Sequence, residues 1–373
     1  MAEPPTTSVC MAAYNAAKFL ETALDSLLAQ TYAHFELIVV DDGSCDDTAK
    51  IVRRYARTDA RIEYLRNETN RGLVYTRNRL LQECSTPLIA VADADDVFHP
   101  RRLENQLQFL EKHPECGVIG AGVEFLDQGE GRLPSLAVHA EDRHIRFFMH
   151  LTPAFWNTTT LYRRELLEQA GGYREGFEAG AEDYDLWARL LPLTRFANLP
   201  EPLVKVRVHP ASVTAEGSKC LRNVLKVSAR LLQNYLRRPV PIELREELHR
   251  FLMHSGMDGP DCERAFALAR ALYNQAVRVE APDTIQLLRD KLADASWTQA
   301  RYLVYAAPSL SRGLAITALR WKPSLLWQGG TYAYAARSLA PRPTIAFTKR
   351  LLRTFRARET ASPSTRSGEK WPE

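Results

Sequence analysis

Apolar residues follow two rhythms along this chain. Ser8–Ala12 is a short apolar run that stops at Tyr14-Asn15, and Ala17–Gln30 then repeats Phe19, Leu20, Ala23, Leu24, Leu27 and Leu28 at helical spacing. Phe35–Val40 predicts a buried strand that breaks on Asp41-Asp42-Gly43-Ser44. Asp46 or Asp47 is then placed to cap a helix carrying Ile51, Val52 and Tyr55. A third strand is expected at Ile62–Leu65, a helix from Arg71-Gly72 to Cys84, and a fourth strand at Pro87–Ala92 ending on Asp93-Ala94-Asp95-Asp96. Strands separated by single helices predict an α/β fold with a mostly parallel sheet and right-handed crossovers. Ligands bind beyond the carboxyl ends of the strands in such sheets. Three strand ends here, Tyr14-Asn15, Asp41-Asp42 and Asp93/Asp95/Asp96, converge on one edge.

After Pro210 the rhythm changes. Lys219 to about Arg358 reads as consecutive amphipathic helices broken at Pro239-Val240-Pro241, Gly256–Pro260, Pro282, Pro308, Pro323 and Pro341-Arg342-Pro343, with no repeat of fixed period. The pattern divides the chain into an α/β domain at 1–215, a helical region at 216–340 and a tail at 341–373. In that tail Pro343–Arg358 predicts a basic amphipathic helix, and the final dozen polar residues predict disorder.

Composition narrows the classes. With 373 residues, 45% hydrophobic and 25% charged, the chain excludes disorder, a collagen-like fibre and a coiled coil. No apolar run approaches the roughly eighteen residues a membrane span needs, and Met1–Ser8 lacks the features of a signal peptide. The expected location is the cytoplasm, with attachment to the cytoplasmic face of the membrane left open by the tail. The six cysteines are too widely spaced for a zinc site and too few for a disulfide scaffold, which predicts ordinary small core residues. The net charge of +4 is uneven: Leu310–Glu373 holds twelve Lys/Arg against three Asp/Glu. A basic tail on a slightly acidic body points to an anionic partner for the tail, such as an anionic membrane surface.

Several constellations can carry chemistry. Asp93-x-Asp95 after an apolar strand can face one hard cation, although the same pattern also serves as a solvated turn or a helix cap before Pro100. Asp41–Ser44 suits a tight turn, and one of its carboxylates can also accept from a ligand N–H while Tyr14 stacks on a planar ring. Together they look like a nucleobase clamp. Glu182-Asp183 opens a helix carrying Leu186, Trp187, Leu190 and Leu191, where acids answer the helix dipole or, facing a cleft, supply a general base. His209, after Val204–Val208, is a packing residue or a metal ligand.

In this order the segments resemble the family 2 glycosyltransferases of the GT-A fold, over roughly Ser8 to Thr214. They are Ser8–Asn15, Asp41–Ser44, Asn70–Leu73 with Arg77-Asn78, Asp93–Asp96 before Pro100, Gly171–Tyr173, Glu182–Trp187, and His209 with Ser212. The resemblance implies that Tyr14 and Asp42 hold the base, with Asp42 accepting from a uracil N3–H. It places Asp93 near ribose or metal, Asp95 on Mn²⁺ or Mg²⁺, and His209 on metal or diphosphate. Asp183 would be the catalytic base, Glu182 a substrate contact beside it, and Arg71 and Arg77 phosphate contacts. It further implies inverting, metal-assisted transfer from a nucleotide-sugar, favouring UDP, to a glycan or lipid-linked hydroxyl, without a nucleic-acid partner. Departures are Cys10-Met11-Ala12 where Ile-Pro is frequent, and no QxxRW sequence after Trp187, which argues for a non-processive enzyme. Two rivals are a sugar nucleotidyltransferase and a catalytically silent scaffold working through its helical tail. Ala13–Ala17 offers no glycine for the phosphate loop that the first requires. The acids that chemistry would need are all present, which speaks against the second.

Overall fold

The computed structural model describes residues 5–127, 132–136, 138–209 and 218–327, with 330, 331, 334 and 338 beyond them. β1 (Thr7–Ala13) leads into α1 (Ala17–Leu28), and β2 (Phe35–Asp41) into α2 (Thr48–Ala56). β3 (Ile62–Arg66), α3 (Leu73–Glu83) and β4 (Leu88–Asp93) complete the alternation that the apolar pattern predicts. Asp46, not Asp47, supplies the cap of α2. Its carboxylate accepts from Thr48 N at 3.0 Å and from Ala17 N at 3.0 Å, so it also ties down the start of α1.

The second half of this domain is less regular. It comprises β5 (Val97–Phe98), α4 (Arg102–Lys112), β6 (Cys116–Leu126), β7 (Arg132–Leu136) and α5 (Asp142–Phe148). A 3₁₀ turn at Asn157–Thr159 precedes β8 (Leu161–Arg163), α6 (Arg164–Ala170), α7 (Glu182–Leu190) and β9 (Arg195–Arg207).

Among the described residues the strands make one sheet in the order β3-β2-β1-β4-β8-β6-β9-β5, with β7 on β6. β3, β2, β1 and β4 are mutually parallel, and β8 joins β4 antiparallel. Side chains alternate between two cores, as a sheet covered on both faces requires. Val9, Met11 and Ala13 of β1 face α1, α2 and α4 through Leu20, Leu24, Val52 and Leu103. Cys10 of β1, with Ile38 and Val40 of β2, faces α3 and α7 through Val74, Leu80 and Trp187. This division is what right-handed crossovers demand. The chain winds from β1 outward to β3 with its helices on one face, then returns to β4 with α3 on the other. The winding therefore reverses between β1 and β4, where Ala12 lies opposite Asp93. A crevice at the carboxyl end of the sheet follows from that reversal.

The helical part begins with α8 (Ser218–Leu236) and continues through α9 (Ile242–Leu252), α10 (Gly259–Val279), α11 (Pro282–Leu303) and α12 (Pro308–Trp321). Proline opens α11 and α12, where its missing N–H costs nothing. The chain forms two compact units, Met1–His249 with Ala267–Leu287, and Arg250–Phe266 with Leu288–Glu373. In the first, Val227 and Leu231 of α8 pack in the same core as Trp187 and Leu190 of α7. In the second, Trp297 meets Tyr334 with ring centroids 5.1 Å apart, and Lys322 pairs with Asp294 at 2.7 Å. No described helix is long and apolar enough to cross a membrane. The expected helix at Pro343–Arg358, the polar end after it, and Ser212 lie outside the described residues.

Candidate active site

The ends of β1 and β2 are braced against each other. Asn15 takes a left-handed φ of 48°, donates its amide N–H to Ser44 Oγ at 2.9 Å, and accepts from Cys45 N at 2.9 Å. Beside it the Tyr14 ring stands 50% exposed, open to a planar partner. Asp41 is buried and accepts from Ser44 N at 2.8 Å and from the Tyr64 hydroxyl at 3.0 Å, so it is a turn residue. Asp42 is also buried. Its Oδ1 accepts from Asn67 Nδ2 at 2.7 Å and Arg71 N at 2.8 Å, and its Oδ2 from Gly72 N at 2.9 Å. A carboxylate has room for about four such bonds, which leaves one place free. Gly43 has φ +72°, and a Cβ there would lie 2.5 Å from the Thr69 carbonyl carbon. The 41–44 turn and the 67–72 loop are thus one built unit. The Arg71 guanidinium lies over the Tyr75 ring, 4.2 Å from its centroid.

β4 ends on Asp93, and the turn beyond it carries Asp95 and the buried Asp96. Asp95 and His209 meet, with Oδ2 2.8 Å from Nε2 across 114 residues of sequence. β9 makes that meeting possible. Arg207 donates its N–H to Asp96 Oδ1 at 2.9 Å and its Nε–H to Asp95 O at 3.1 Å, and the His209 ring packs 5.2 Å from Phe19 of α1. Among the described residues no group of three or more Asp, Glu, His or Cys is arranged to hold a metal. Asp95 and His209 are an oxygen and nitrogen donor pair that fits a magnesium- or manganese-type ion completing its shell with diphosphate and water. Burial and the neighbouring Asp95 and Asp93 push the Asp96 carboxyl well above its usual range, which suits a residue serving the loop rather than a cation.

α7 carries the remaining acids. Gly180 (φ +101°) and Ala181 (φ +70°) both take left-handed conformations at its start, a strained entry for an alanine. The helix is anchored by Trp187, fully buried with Nε1 donating to the Tyr162 hydroxyl at 2.6 Å. Burying a side chain of that size contributes roughly 2–3 kcal/mol. Glu182 is buried and paired with Arg77 Nη1 of α3. Asp183, partly open, accepts from Tyr184 N at 2.6 Å. Burial raises the Asp183 carboxyl above its usual range, while Arg77 pulls it back. Asp93 is pushed up to about 6 by burial, opposed by Arg77 and reinforced by Asp95 and Asp183. Its side chain keeps 37% exposure, so water tempers that push.

The structure therefore groups Arg77, Asp93, Glu182 and Asp183 in one charged cluster and Asp95 with His209 in a second at the end of the same strand. Tyr14 and Asp42 sit on the adjoining strand ends, while the Arg71 side chain is taken up by Tyr75. Four contributors were not singled out from the sequence. Asn157, its amide oxygen placed by the surrounding donors, accepts from Arg77 Nη2 at 2.7 Å. Thr158 Oγ1 accepts from Asp93 N at 3.3 Å, Asn67 holds Asp42, and Arg207 fixes the 95–96 turn. Only Arg207 had a local signal, a cation inside an apolar strand. Cys45 also departs from expectation: it is exposed in the 43–45 turn, whereas Cys10, Cys84, Cys116 and Cys262 are buried.

A mostly parallel sheet covered by helices on both faces, with acidic groups gathered beyond the carboxyl ends of its strands, is the architecture of the GT-A fold. The profile for glycosyl transferase family 2 matches residues 8–171. The O-antigen biosynthesis glycosyltransferase WbnJ of Escherichia coli is 30% identical over 240 residues, 61% of this chain and 92% of that protein. The amylovoran biosynthesis glycosyltransferase AmsE of Erwinia amylovora is 34% identical over 204 residues, 54% of this chain and 75% of that protein. Among solved structures, residues 1–349 of S. aureus TarS in complex with UDP-GlcNAc align with a TM-score of 0.52 at 19% identity, covering 86% of this chain and 92% of that one. At that identity the likeness speaks for the fold. The chain belongs to the family 2 glycosyltransferases, and it is an enzyme of that class with a GT-A fold.

Proposed function

We propose that this protein transfers a sugar from a nucleoside-diphosphate sugar, with UDP as the carrier, to a hydroxyl of a glycan or lipid-linked acceptor during polysaccharide assembly. The acceptor class is suggested by the roles named for WbnJ and AmsE, and the donor class by the UDP-GlcNAc held by TarS. The observation that carries the reading is the placement of Asp183. It stands partly open on the first turn of α7, in one charged cluster with Arg77 and Asp93 at the end of β4. Its raised pKa makes it a stronger proton acceptor than an ordinary carboxylate while Arg77 favours its ionised form. Asp183 takes the proton from the acceptor hydroxyl as that oxygen attacks the anomeric carbon. The diphosphate leaves from the opposite face, and the anomeric configuration inverts. When bound by Asp95 and His209, Mn²⁺ or Mg²⁺ would neutralise charge on the departing diphosphate. Tyr14 stacks on the base and Asp42 accepts from its N3–H.

Two substitutions test the division of roles. Asp95→Ala should abolish metal-supported UDP binding. Asp183→Ala should leave UDP binding intact and lower turnover by at least about a hundredfold, the low end of what a general base contributes. Full transfer by the Asp183→Ala protein would remove the base assignment.

We also propose an anionic membrane surface as the enzyme's place of work. Residues 308–358 contain ten Lys/Arg and no Asp/Glu. In the described part, Arg312, Ile316 and Arg320 recur every four residues on the exposed stripe of α12, and Trp327 is 83% exposed. Basic residues with interfacial aromatics are the chemistry that anionic headgroups attract.

A further inference from the structure

We infer that Arg77 is a positioning residue, a buried strut that holds the start of α7 against the end of β4 and sets the charge around Asp183, not a ligand of the donor's phosphates. The inference rests on the reading of Asp183 as the base. Arg77 is 8% exposed. Its two terminal nitrogens are taken by three side chains from three elements. Nη1 donates to Glu182 of α7, Nη2 reaches Asp93 of β4 at 3.4 Å, and Nη2 donates to Asn157 of the 3₁₀ turn at 2.7 Å. A guanidinium so engaged has little left to offer a diphosphate, whose recognition needs an open donor fork. The next residue extends the brace. Asn78 exchanges two hydrogen bonds with the Tyr173 backbone, both at 2.8 Å, and a Cβ on Gly172 would lie 2.6 Å from Asn78 Oδ1. One turn of α3 therefore grips both the loop ahead of α7 and α7 itself.

The electrostatic consequence follows from which groups act on Asp183. These are Arg77 from α3, Asp93 from β4, Tyr162 from β8, Tyr173 from the loop after α6 and Cys220 from α8, while Glu182, next in sequence, acts through its pairing with Arg77. Arg77 is the one cation among them. Removing it leaves burial and the Asp93 carboxylate, which favour the protonated acid and so an inactive base, opposed only by the backbone N–H groups that favour the carboxylate. Removing Glu182 instead takes away one negative neighbour and frees Arg77 to act on Asp183 more strongly. The two changes must move the base in opposite directions, an outcome that loss of packing alone does not produce.

The test measures transfer at saturating donor from pH 4.5 to 9, together with UDP-sugar binding in Mn²⁺ by calorimetry. Arg77→Gln should move the acid limb of kcat upward by about one to two pH units, the usual reach of a close opposite charge. Donor Kd should stay within threefold. Arg77→Lys should return the limb part of the way, and Glu182→Gln should move it downward. An Arg77→Gln limb within 0.3 unit of the wild type, or a donor Kd raised tenfold or more, overturns the inference. If the wild-type protein transfers no sugar from any nucleotide donor, it is the proposed function that fails. The strut is then read without activity, from a urea-denaturation cycle of Arg77→Met and Glu182→Gln. A double-mutant loss smaller than the sum of the single losses supports the ion pair, and additive losses overturn it.

Discussion

Asp42 offers a measurement in which the fold and the proposed site make separate claims on one carboxylate. Replacing it by alanine strips the acceptor from Asn67 Nδ2, Arg71 N and Gly72 N, bound at 2.7, 2.8 and 2.9 Å. A hydrogen bond to a charged group is worth roughly 1.5–3 kcal/mol. Asn67 keeps Thr76 Oγ1 at 3.1 Å and the loop rim can recruit water, so the three losses do not add in full. A local loss of about 2–4 kcal/mol remains, which at about 1.4 kcal/mol per decade speeds exchange of the Arg71 and Gly72 amides by some thirty- to several-hundredfold. Asp42→Asn should lose about half as much, because an amide oxygen at the Oδ1 position keeps two donors while its NH₂ faces the Gly72 N–H. Hydrogen exchange across 67–76 reads this directly, and calorimetry with UDP reads the base contact on the same proteins. UDP should bind about tenfold or more weakly to Asp42→Ala. Unchanged protection at 71–72 would refute the staple, and tighter binding of GDP than UDP by the wild type would refute the uracil contact.

Two other outcomes follow from the same coordinates. Gly43→Ala places a Cβ 2.5 Å from Thr69 C at φ +72° and should cost more than about 2 kcal/mol in a urea melt. Gly176→Ala, at φ +90° with nothing within 4 Å, should cost only the roughly 1–2 kcal/mol of the left-handed conformation; equal losses would refute the clash argument. In vesicle co-sedimentation the full chain should partition onto anionic but not neutral vesicles. Arg312→Glu with Arg320→Glu should weaken that binding, and a chain ending at Ala340 should weaken it further. Equal partitioning of all three would count against the membrane surface.

Periodicity and punctuation determined the local elements of this protein by themselves. The runs at Ser8–Ala12, Phe35–Val40, Ile62–Leu65 and Pro87–Ala92 are the four parallel strands within a residue or two; β1, β2 and β4 are almost wholly apolar because they are buried on both faces, while β3, at the sheet's edge, keeps Glu63 exposed between Ile62 and Tyr64. Pro282 and Pro308 start helices where the prolines predicted breaks, since proline's cost depends only on its own backbone. Acidic strand ends at 41–42 and 93–96 were legible for the same reason. Where an apolar strand stops, its polar end is at the sheet edge.

Tertiary structure alone decided which of those acids does what. Asp41 and Asp42 are adjacent and chemically identical, yet the first is closed off by Ser44 and Tyr64 while the second holds a loop 29 residues away. Arg77 carries a phosphate contact's credentials in sequence and a strut's partners in space, because Glu182, 105 residues on, arrives beside it only when α7 packs on α3 and β4. The two shortest strands had no comparable signature. β8 has three residues and β5 two, and what makes them strands is pairing with β4, β6 and β9. Local propensity reaches a few residues along the chain. The direction in which a side chain meets its partner is set by the packing of elements a hundred residues apart, and it is that packing which turns a row of acids into a site.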